Sequence, residues 1–406
     1  MPEVTTNRTR LAVRITRDAL RHVKTGHPWI YGDAITKITD GGKPGDLAIV
    51  FDDYRRFVAV GLYDPNSPIQ IKVLAAGEQT TIDRNFWVLR IRDAVALRQP
   101  LHQGQTTGYR VIHGENDGFP GLVVDRYANT LVCKVYSEAW FAHLGELTGL
   151  LVEELAPETI VIRLARFLAD RSPYRDGDAL HGTTPTSPVL FLENGITFEA
   201  DVVHGQKTGH FLDQRDNRAK VRDLAKGKRV LDVFASTGGF TVYAAVGGAT
   251  EIHSVDLSGP TLAVAKRNLQ HNHAVTSSSV QRSISGDAFA VMAQLASAGE
   301  RYDIVVVDPP SFAQRQIDID DALRSYQRLA HLSAQLTRPG GLLVSCSCSS
   351  RVTADWFFHA VYDGVEEAGA ELVDAEFTHH ALDHPITFKE GEYLKAVFAR
   401  VEPQRG

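Results

Sequence analysis

Apolar and polar residues alternate with period two over Leu11-Ala12-Val13-Arg14-Ile15 and much of 45–61, the spacing of short strands with one buried face. Gly41-Gly42-Lys43-Pro44-Gly45 and Asp64-Pro65-Asn66-Ser67-Pro68 read as turns between them. The pattern predicts a small β-barrel over 1–75, the size of an appended module. Phe86, Leu89, Ile91, Val95 and Leu97 recur at helical spacing and predict an amphipathic helix over 82–98. Strands are expected at 121–125, 131–136 and Thr159–Leu164, with a helix over about 140–155. The stretch 172–188, rich in Gly, Asp, Thr, Ser and Pro, reads as a loop into the next domain.

From about 194 the period switches between strand and helix. Lys228-Arg229-Val230-Leu231-Asp232-Val233-Phe234 is a strand signal, and Gly238-Gly239 opens the helix behind it. A second strand, 252–256, precedes a helix with Ser258 as N-cap and Leu262, Ala265 and Leu269 on one face. Further strands are expected at 303–308 and 341–346, and a late antiparallel strand at 392–401. This alternation predicts an α/β fold whose sheet is covered by helices on both faces. The expected domains are 1–75, 76–190 and 191–406, without an internal repeat.

Composition narrows the class. The chain has 406 residues, more than one compact core accommodates. Its 43% hydrophobic and 23% charged residues are ordinary for a globular protein. Residues 1–10 are polar, without the apolar segment of a secretory signal, and no run approaches the ~20 apolar residues of a membrane span. Cys133, Cys346 and Cys348 are the only cysteines, so no disulfide framework is implied and the cytoplasm is the expected compartment. The net charge of −6 argues against wholesale electrostatic binding to nucleic acid. Residues 1–75 nevertheless carry 11 Lys/Arg against 8 Asp/Glu, a local surplus that suits an RNA-reading module and equally a solvated face.

Three motifs carry chemistry. In Asp232-Val233-Phe234-Ala235-Ser236-Thr237-Gly238-Gly239-Phe240, glycine lets backbone approach a ligand. Asp256 closes the next strand, where a carboxylate can accept from ribose hydroxyls. A glycine turn alone is ordinary at any βα junction, whereas Asp232, Asp256, Asp287 and Asp308, each at an expected strand end, form an ordered set. The G-x-G-x-x-G spacing of a dinucleotide site is absent, so a nucleoside cofactor without phosphates, such as S-adenosylmethionine, fits better.

The second motif, Asp308-Pro309-Pro310-Ser311-Phe312, fixes the backbone and offers Phe312 for stacking on a base; the bland alternative is a turn that stops the strand. The third, Ser345-Cys346-Ser347-Cys348-Ser349, puts two of three cysteines at the same sheet edge. Carbon 5 of cytosine becomes nucleophilic only after a thiolate adds at carbon 6, chemistry that cysteine can perform near neutral pH. Packing of small residues is the alternative, and Cys133 is assigned to it. Spacing alone leaves the choice between Cys346 and Cys348 open. The 16 histidines lack metal-ligand spacing, so no metal is expected.

With these residues in place the chain resembles the RlmI-like family of 23S rRNA 5-methylcytosine methyltransferases. Lys24-Thr25-Gly26-His27-Pro28-Trp29-Ile30-Tyr31 resembles the start of its PUA domain, and 113–127 its central α/β signature. Gly205-Gln206-Lys207-Thr208-Gly209-His210-Phe211-Leu212-Asp213-Gln214-Arg215 resembles the segment that helps close its cofactor site. Lys389-Glu390-Gly391-Glu392-Tyr393-Leu394-Lys395 resembles its C-terminal signature. The resemblance implies a Rossmann-like class I methyltransferase domain behind a PUA barrel and a central α/β domain, with S-adenosylmethionine as cofactor. Asp232, Phe234, Ala235, Ser236, Thr237, Gly238 and Gly239 would line its methionine end, Asp256 would hold its ribose, and Leu257 would be a further cofactor-binding residue. Asp287 and Ala288 would border the adenine, with Phe211 and Gln214 closing the site. Asp308 and Pro309 would face the target base, Cys346 would be the nucleophile, and Cys348 an alternative or a helper. Ser236 departs from the aromatic residue common there. The implied partner is RNA, either 23S rRNA or the assembling large subunit, and a homodimer is compatible. Competing readings are a base nitrogen methyltransferase, such as a 7-methylguanosine enzyme, and a noncatalytic ribosome-binding protein.

Overall fold

The computed structural model describes residues 9–313 and 315–404. Most of the polar stretch 1–10 thus lies outside the described residues. The chain forms two compact units. One runs to Gly195 and adds Ala200–Leu212 and Leu382–Gly391; the other comprises Ile196–Glu199, Asp213–Ala381 and the chain from Glu392 onward. Among the described residues, no helix is long and apolar enough to cross a membrane.

The first unit holds a six-stranded sheet in the order Trp29–Tyr31, Ile69–Ala76, Phe57–Tyr63, Leu47–Phe51, Arg10–Ile15, Ile35–Ile38. Leu11, Val13 and Ile15 are buried while Arg10 and Ala12 are exposed, as the alternation predicts. Phe57–Tyr63 departs from alternation because both its faces are covered. Val58 and Ala59 enter the barrel's own core, whereas Val60 and Leu62 join a second core with Trp87 and Trp140.

The five-stranded sheet runs Ala179–His181, Thr159–Leu164, Thr130–Val135, Leu122–Tyr127, Gly108–His113. Ala179–His181 lies in the stretch expected to be loop; three residues pairing antiparallel with Thr159–Leu164 are too short to show a period. The expected 82–98 helix is Arg84–Gln103, capped by Asp83 accepting from Phe86 N at 2.9 Å, and it continues through Pro100. The expected 140–155 helix starts at Leu144, after a short 3₁₀ turn Glu138–Trp140 capped by Ser137.

The second unit holds a seven-stranded sheet ordered Val280–Ser285, Glu251–Asp256, Arg229–Val233, Tyr302–Val307, Thr337–Ser347, Lys395–Pro403, Ala370–Thr378. The first five strands are parallel, and Lys395–Pro403 inserts antiparallel between the last two neighbours. Chain order reverses between Arg229–Val233 and Tyr302–Val307, and ligands of such sheets bind where the order reverses, beyond the strand C-termini. The two faces carry separate cores, Leu231, Val305 and Leu343 on one, Val230, Val306 and Val344 on the other. Continuous apolar runs in these strands follow from helices on both faces.

Candidate active site

At the reversal point Asp308 N donates to Val233 O at 3.3 Å, so the ends of the two central strands are bonded together. Asp232 is the fourth of five strand residues rather than the last, and its carboxylate turns inward. Oδ2 accepts from Thr241 N at 2.9 Å and Thr241 Oγ1 at 2.6 Å, while buried Oδ1 has no hydrogen-bond partner. Burial raises its pKa from 3.8 to about 6, against the lowering effect of Thr241.

The turn after this strand uses left-handed backbone at Phe234 (φ 65°), Ser236 (φ 48°) and Gly238 (φ 81°). A Cβ on Gly238 would stand 2.7 Å from Ala265 Cβ, so the missing side chain first serves contact with helix Gly259–His271. Gly239 abuts Arg218 in the same way. Ala235 N donates to Val255 O at 3.0 Å, and Asn268 Nδ2 donates to Thr237 O at 2.9 Å, which ties the turn to the next strand and helix.

Asp256 ends its strand as expected. Oδ2 accepts from Ser236 N at 2.8 Å, and Oδ1 from Ser258 N at 2.8 Å and Thr261 Oγ1 at 3.2 Å. Two carboxylate oxygens offer about four acceptor positions, leaving capacity for a diol. Leu257 beside it is 77% exposed, an apolar surface next to a carboxylate. Asp287 lies two residues beyond Val280–Ser285 rather than at its tip. It is exposed and caps helix Ala288–Ser297 by accepting from Ala290 N at 3.0 Å, with Ala288 buried behind it.

Asp308 is half-buried, and its Oδ1 accepts from Gln214 Nε2 at 2.9 Å. Gln214 is held by Asn217, whose Nδ2 donates to Gln214 Oε1 at 2.6 Å. Pro309 is buried and Pro310 exposed. Phe312, expected to stack on a base, is half-buried with ring centroids 6.5 Å from Phe234 and 5.2 Å from Tyr326. Phe211 belongs to the first unit, where Lys207 Nζ lies 4.3 Å above its ring.

The cysteines divide sharply. Cys346 is expected at an open strand tip, but its strand continues to Ser347 and Cys346 pairs with Ala396 inside the sheet. It is 0% exposed among Val344, Val306 and Phe398, and burial together with Asp308 pushes its thiol pKa well up, only partly opposed by Gln214. Cys348 lies just beyond the strand, half-buried, its Sγ 3.8 Å from Pro309 O. Cys133 is fully buried in the first unit, as expected.

Near Cys348, Tyr326 is missed by sequence reasoning, and Lys395 enters it only as the last residue of the C-terminal signature, without a role. The Tyr326 hydroxyl shares a 2.9 Å hydrogen bond with Ser347 Oγ, and burial raises its pKa. Lys395, 2% exposed, donates from Nζ to Ser349 O at 2.6 Å and Val352 O at 2.5 Å. A lone cation heading the apolar run Ala396-Val397-Phe398 is the available signal. Among the described residues, no group of His, Cys, Asp and Glu could hold a metal ion.

Residues 110–386 match the family described as S-adenosylmethionine-dependent methyltransferase, and residues 13–76 match a PUA-like domain. A ribosomal RNA large subunit methyltransferase of Deinococcus radiodurans is 42% identical, over 97% of this chain and 98% of the relative. Ribosomal RNA large subunit methyltransferase I of Shewanella frigidimarina is 38% identical, covering 94% and 97%. Among solved structures, one complexed with SAH superposes with TM-score 0.81 at 21% identity over 96% of this chain and 99% of that one, a likeness of fold. The buried acceptor left open on Asp232, the acceptor capacity of Asp256 and the exposed Leu257 suit a nucleoside with a charged amino-acid tail. The chain belongs to the S-adenosylmethionine-dependent methyltransferase family.

Proposed function

We propose that this protein methylates carbon 5 of a cytosine in large-subunit ribosomal RNA, with Cys348 as the nucleophile. The observation that carries the assignment is the contrast between the two thiols: Cys348 lies beyond its strand beside Pro309, whereas Cys346 is sealed in the core. The rRNA substrate is supported by relatives named as ribosomal RNA large subunit methyltransferases, 36–42% identical over almost the whole chain, and by the match of residues 13–76 to a PUA-like domain.

S-adenosylmethionine supplies an electrophilic sulfonium methyl group when bound. Asp256 would hold its ribose, Leu257 with Asp287 and Ala288 its adenine, and the turn from Phe234 to Gly239 its methionine end, with Gln214 as a closing residue. Asp308, whose carboxylate accepts from Gln214, would accept from the exocyclic amine of cytosine, the polar edge that distinguishes this base. The Cys348 thiolate adds to carbon 6, and the electron pair of the 5,6 double bond reaches carbon 5. The cofactor would supply the methyl group to carbon 5 and keep the electron pair of the broken sulfur–methyl bond. Loss of the carbon-5 proton to a base expels the thiolate and restores the ring.

Trapping on RNA that carries 5-fluorocytidine tests this directly, because fluorine blocks the last step. The wild-type protein and Cys346→Ala are expected to form the covalent adduct and to retain methyl transfer or its first step; Cys348→Ala is expected to lose both. Full activity of Cys348→Ala would overturn the nucleophile assignment. Normal methylation without an adduct would favour transfer to a ring nitrogen.

A further inference from the structure

Lys395 sits in a place where an ammonium needs a reason. It opens the strand Lys395–Pro403 and stands opposite Ser347 in the antiparallel pairing, one residue before Cys348. Its Nζ reaches past Cys348 to Ser349 O and Val352 O, so its stem and head bracket that residue from both sides along the chain. The side chain is almost wholly buried. Two neutral carbonyls satisfy two of its three donors but leave its charge uncompensated, which is costly in a dry environment.

The groups facing Cys348 fall into two classes. Cys346 on the preceding strand and Tyr326 from helix Ile319–Leu336 are neutral groups whose own pKa values are raised by burial and further by Cys348 and by Asp308 beyond the neighbouring strand, so neither brings a positive charge to this place. Lys395 is positive and attracts a thiolate, an interaction that runs in both directions, with Glu392 a lesser partner of the lysine. Burial depresses the lysine's pKa to about 8, and the negative form of Cys348 opposes that fall.

We propose that Lys395 is a positioning residue: its ammonium holds Cys348 as the thiolate, and its two carbonyl bonds fix the turn that carries this cysteine. The inference rests on Cys348 being the nucleophile. It adds no covalent step. It explains how a cysteine beside an acidic loop can be ionised before RNA arrives, because an opposite charge at close range favours the charged form.

The test is the pH profile of iodoacetamide alkylation of the full-length protein, with the label at Cys348 read by peptide mass. Cys133 and Cys346 are buried and are expected to stay unlabelled. In wild type, alkylation of Cys348 should level off at lower pH than in the urea-unfolded chain. Lys395→Met should move the profile upward, slowing alkylation about tenfold at pH 7, the effect of one pH unit in thiol ionisation. An unchanged profile in a folded Lys395→Met protein would overturn the proposal. If that variant fails to fold, the wild-type comparison decides alone, and a folded-state thiol titrating at or above the unfolded one overturns it. Neither measurement uses RNA, so failure here leaves the 5-fluorocytidine result standing, and failure of the adduct leaves this profile unaffected.

Discussion

At the scale of single residues, the site is governed by where charge is buried. Asp232 has a folded-state pKa of about 6 against an ordinary 3.8, so between those values the folded protein binds more protons than the unfolded chain. Its ionised form is therefore a cost above pH 6, and the cost disappears as pH falls through that window. A rise of about two pH units in the midpoint of ionisation corresponds to roughly 3 kcal/mol. Asp232→Asn keeps an acceptor for Thr241 and removes the charge. Relative to wild type, the variant should gain on the order of 3 kcal/mol between pH 4 and pH 7 in urea unfolding. A difference that is flat with pH would mean that Asp232 is not an ionised buried group. The motifs holding Asp232, Asp256, Asp308 and the cysteine pair are legible in sequence because strand ends and reactive side chains coincide there. The choice of cysteine is not. Residues two apart share a face only while the strand lasts, and the pattern does not show that the ladder stops at Ser347, between them. Lys395 is hidden for a related reason, since its role depends on a register with Ser347 that no local pattern specifies.

At the scale of elements, the turn after Arg229–Val233 shows a glycine answering to a second constraint, its packing on a neighbouring helix. Gly238 is expected to clear space for a ligand, and it does have φ 81°, yet its nearest obstacle is Ala265 on the following helix. Gly238→Ala should destabilise the second unit by the left-handed backbone cost of about 1–2 kcal/mol plus the contact with Ala265. Ala265→Gly alone should cost up to about 1 kcal/mol in helix propensity. Combined, the two changes should be less damaging than their sum, since the contact term vanishes while the backbone term remains. Strict additivity in a double-mutant cycle would show that the helix does not constrain this turn. Interior strands such as Thr159–Leu164 and Tyr302–Val307 are visible as apolar runs. Gly108–His113 and Ala370–Thr378 border their sheets, and the second mixes Glu371, Asp374 and Glu376 with apolar residues because one side meets solvent. Edge strands of that kind blur the period that betrays central ones.

At the scale of the whole chain, periodicity tells which positions are buried but not what covers them. The hydrophobic pattern separates a barrel at 1–75 from a domain beginning at 76. Within the first unit one core crosses that line, with Leu47, Val60, Leu62 and Leu74 from the barrel against Trp87 of helix Arg84–Gln103 and Trp140. Trp87 is the hinge of this packing, 2% exposed and with ring centroids 5.6 Å from Phe119 and 5.5 Å from Trp140. In the same unit, Lys72 Nζ meets Asp64 Oδ2 at 3.2 Å, and Ser137 Oγ donates to the same oxygen at 2.6 Å, so a buried ion pair of the barrel is completed by the central part. Breaking such a pair is far more damaging than never having built it. A truncation starting at Thr80 would strip the barrel residues from this core and leave Ser137 without Asp64. We therefore expect the truncated chain to lose cooperative melting of the first unit and to bind a hydrophobic dye, and full-length Trp87→Ala to lose about 3–5 kcal/mol. Comparing the two by thermal unfolding separates the alternatives: a truncated protein that melts as sharply as the full chain would mean that the barrel is a detachable module, whose RNA affinity can then be measured by removing it. If the shared core holds instead, that affinity has to be probed on intact protein, by neutralising exposed lysines and arginines of the barrel and following the salt dependence of RNA binding.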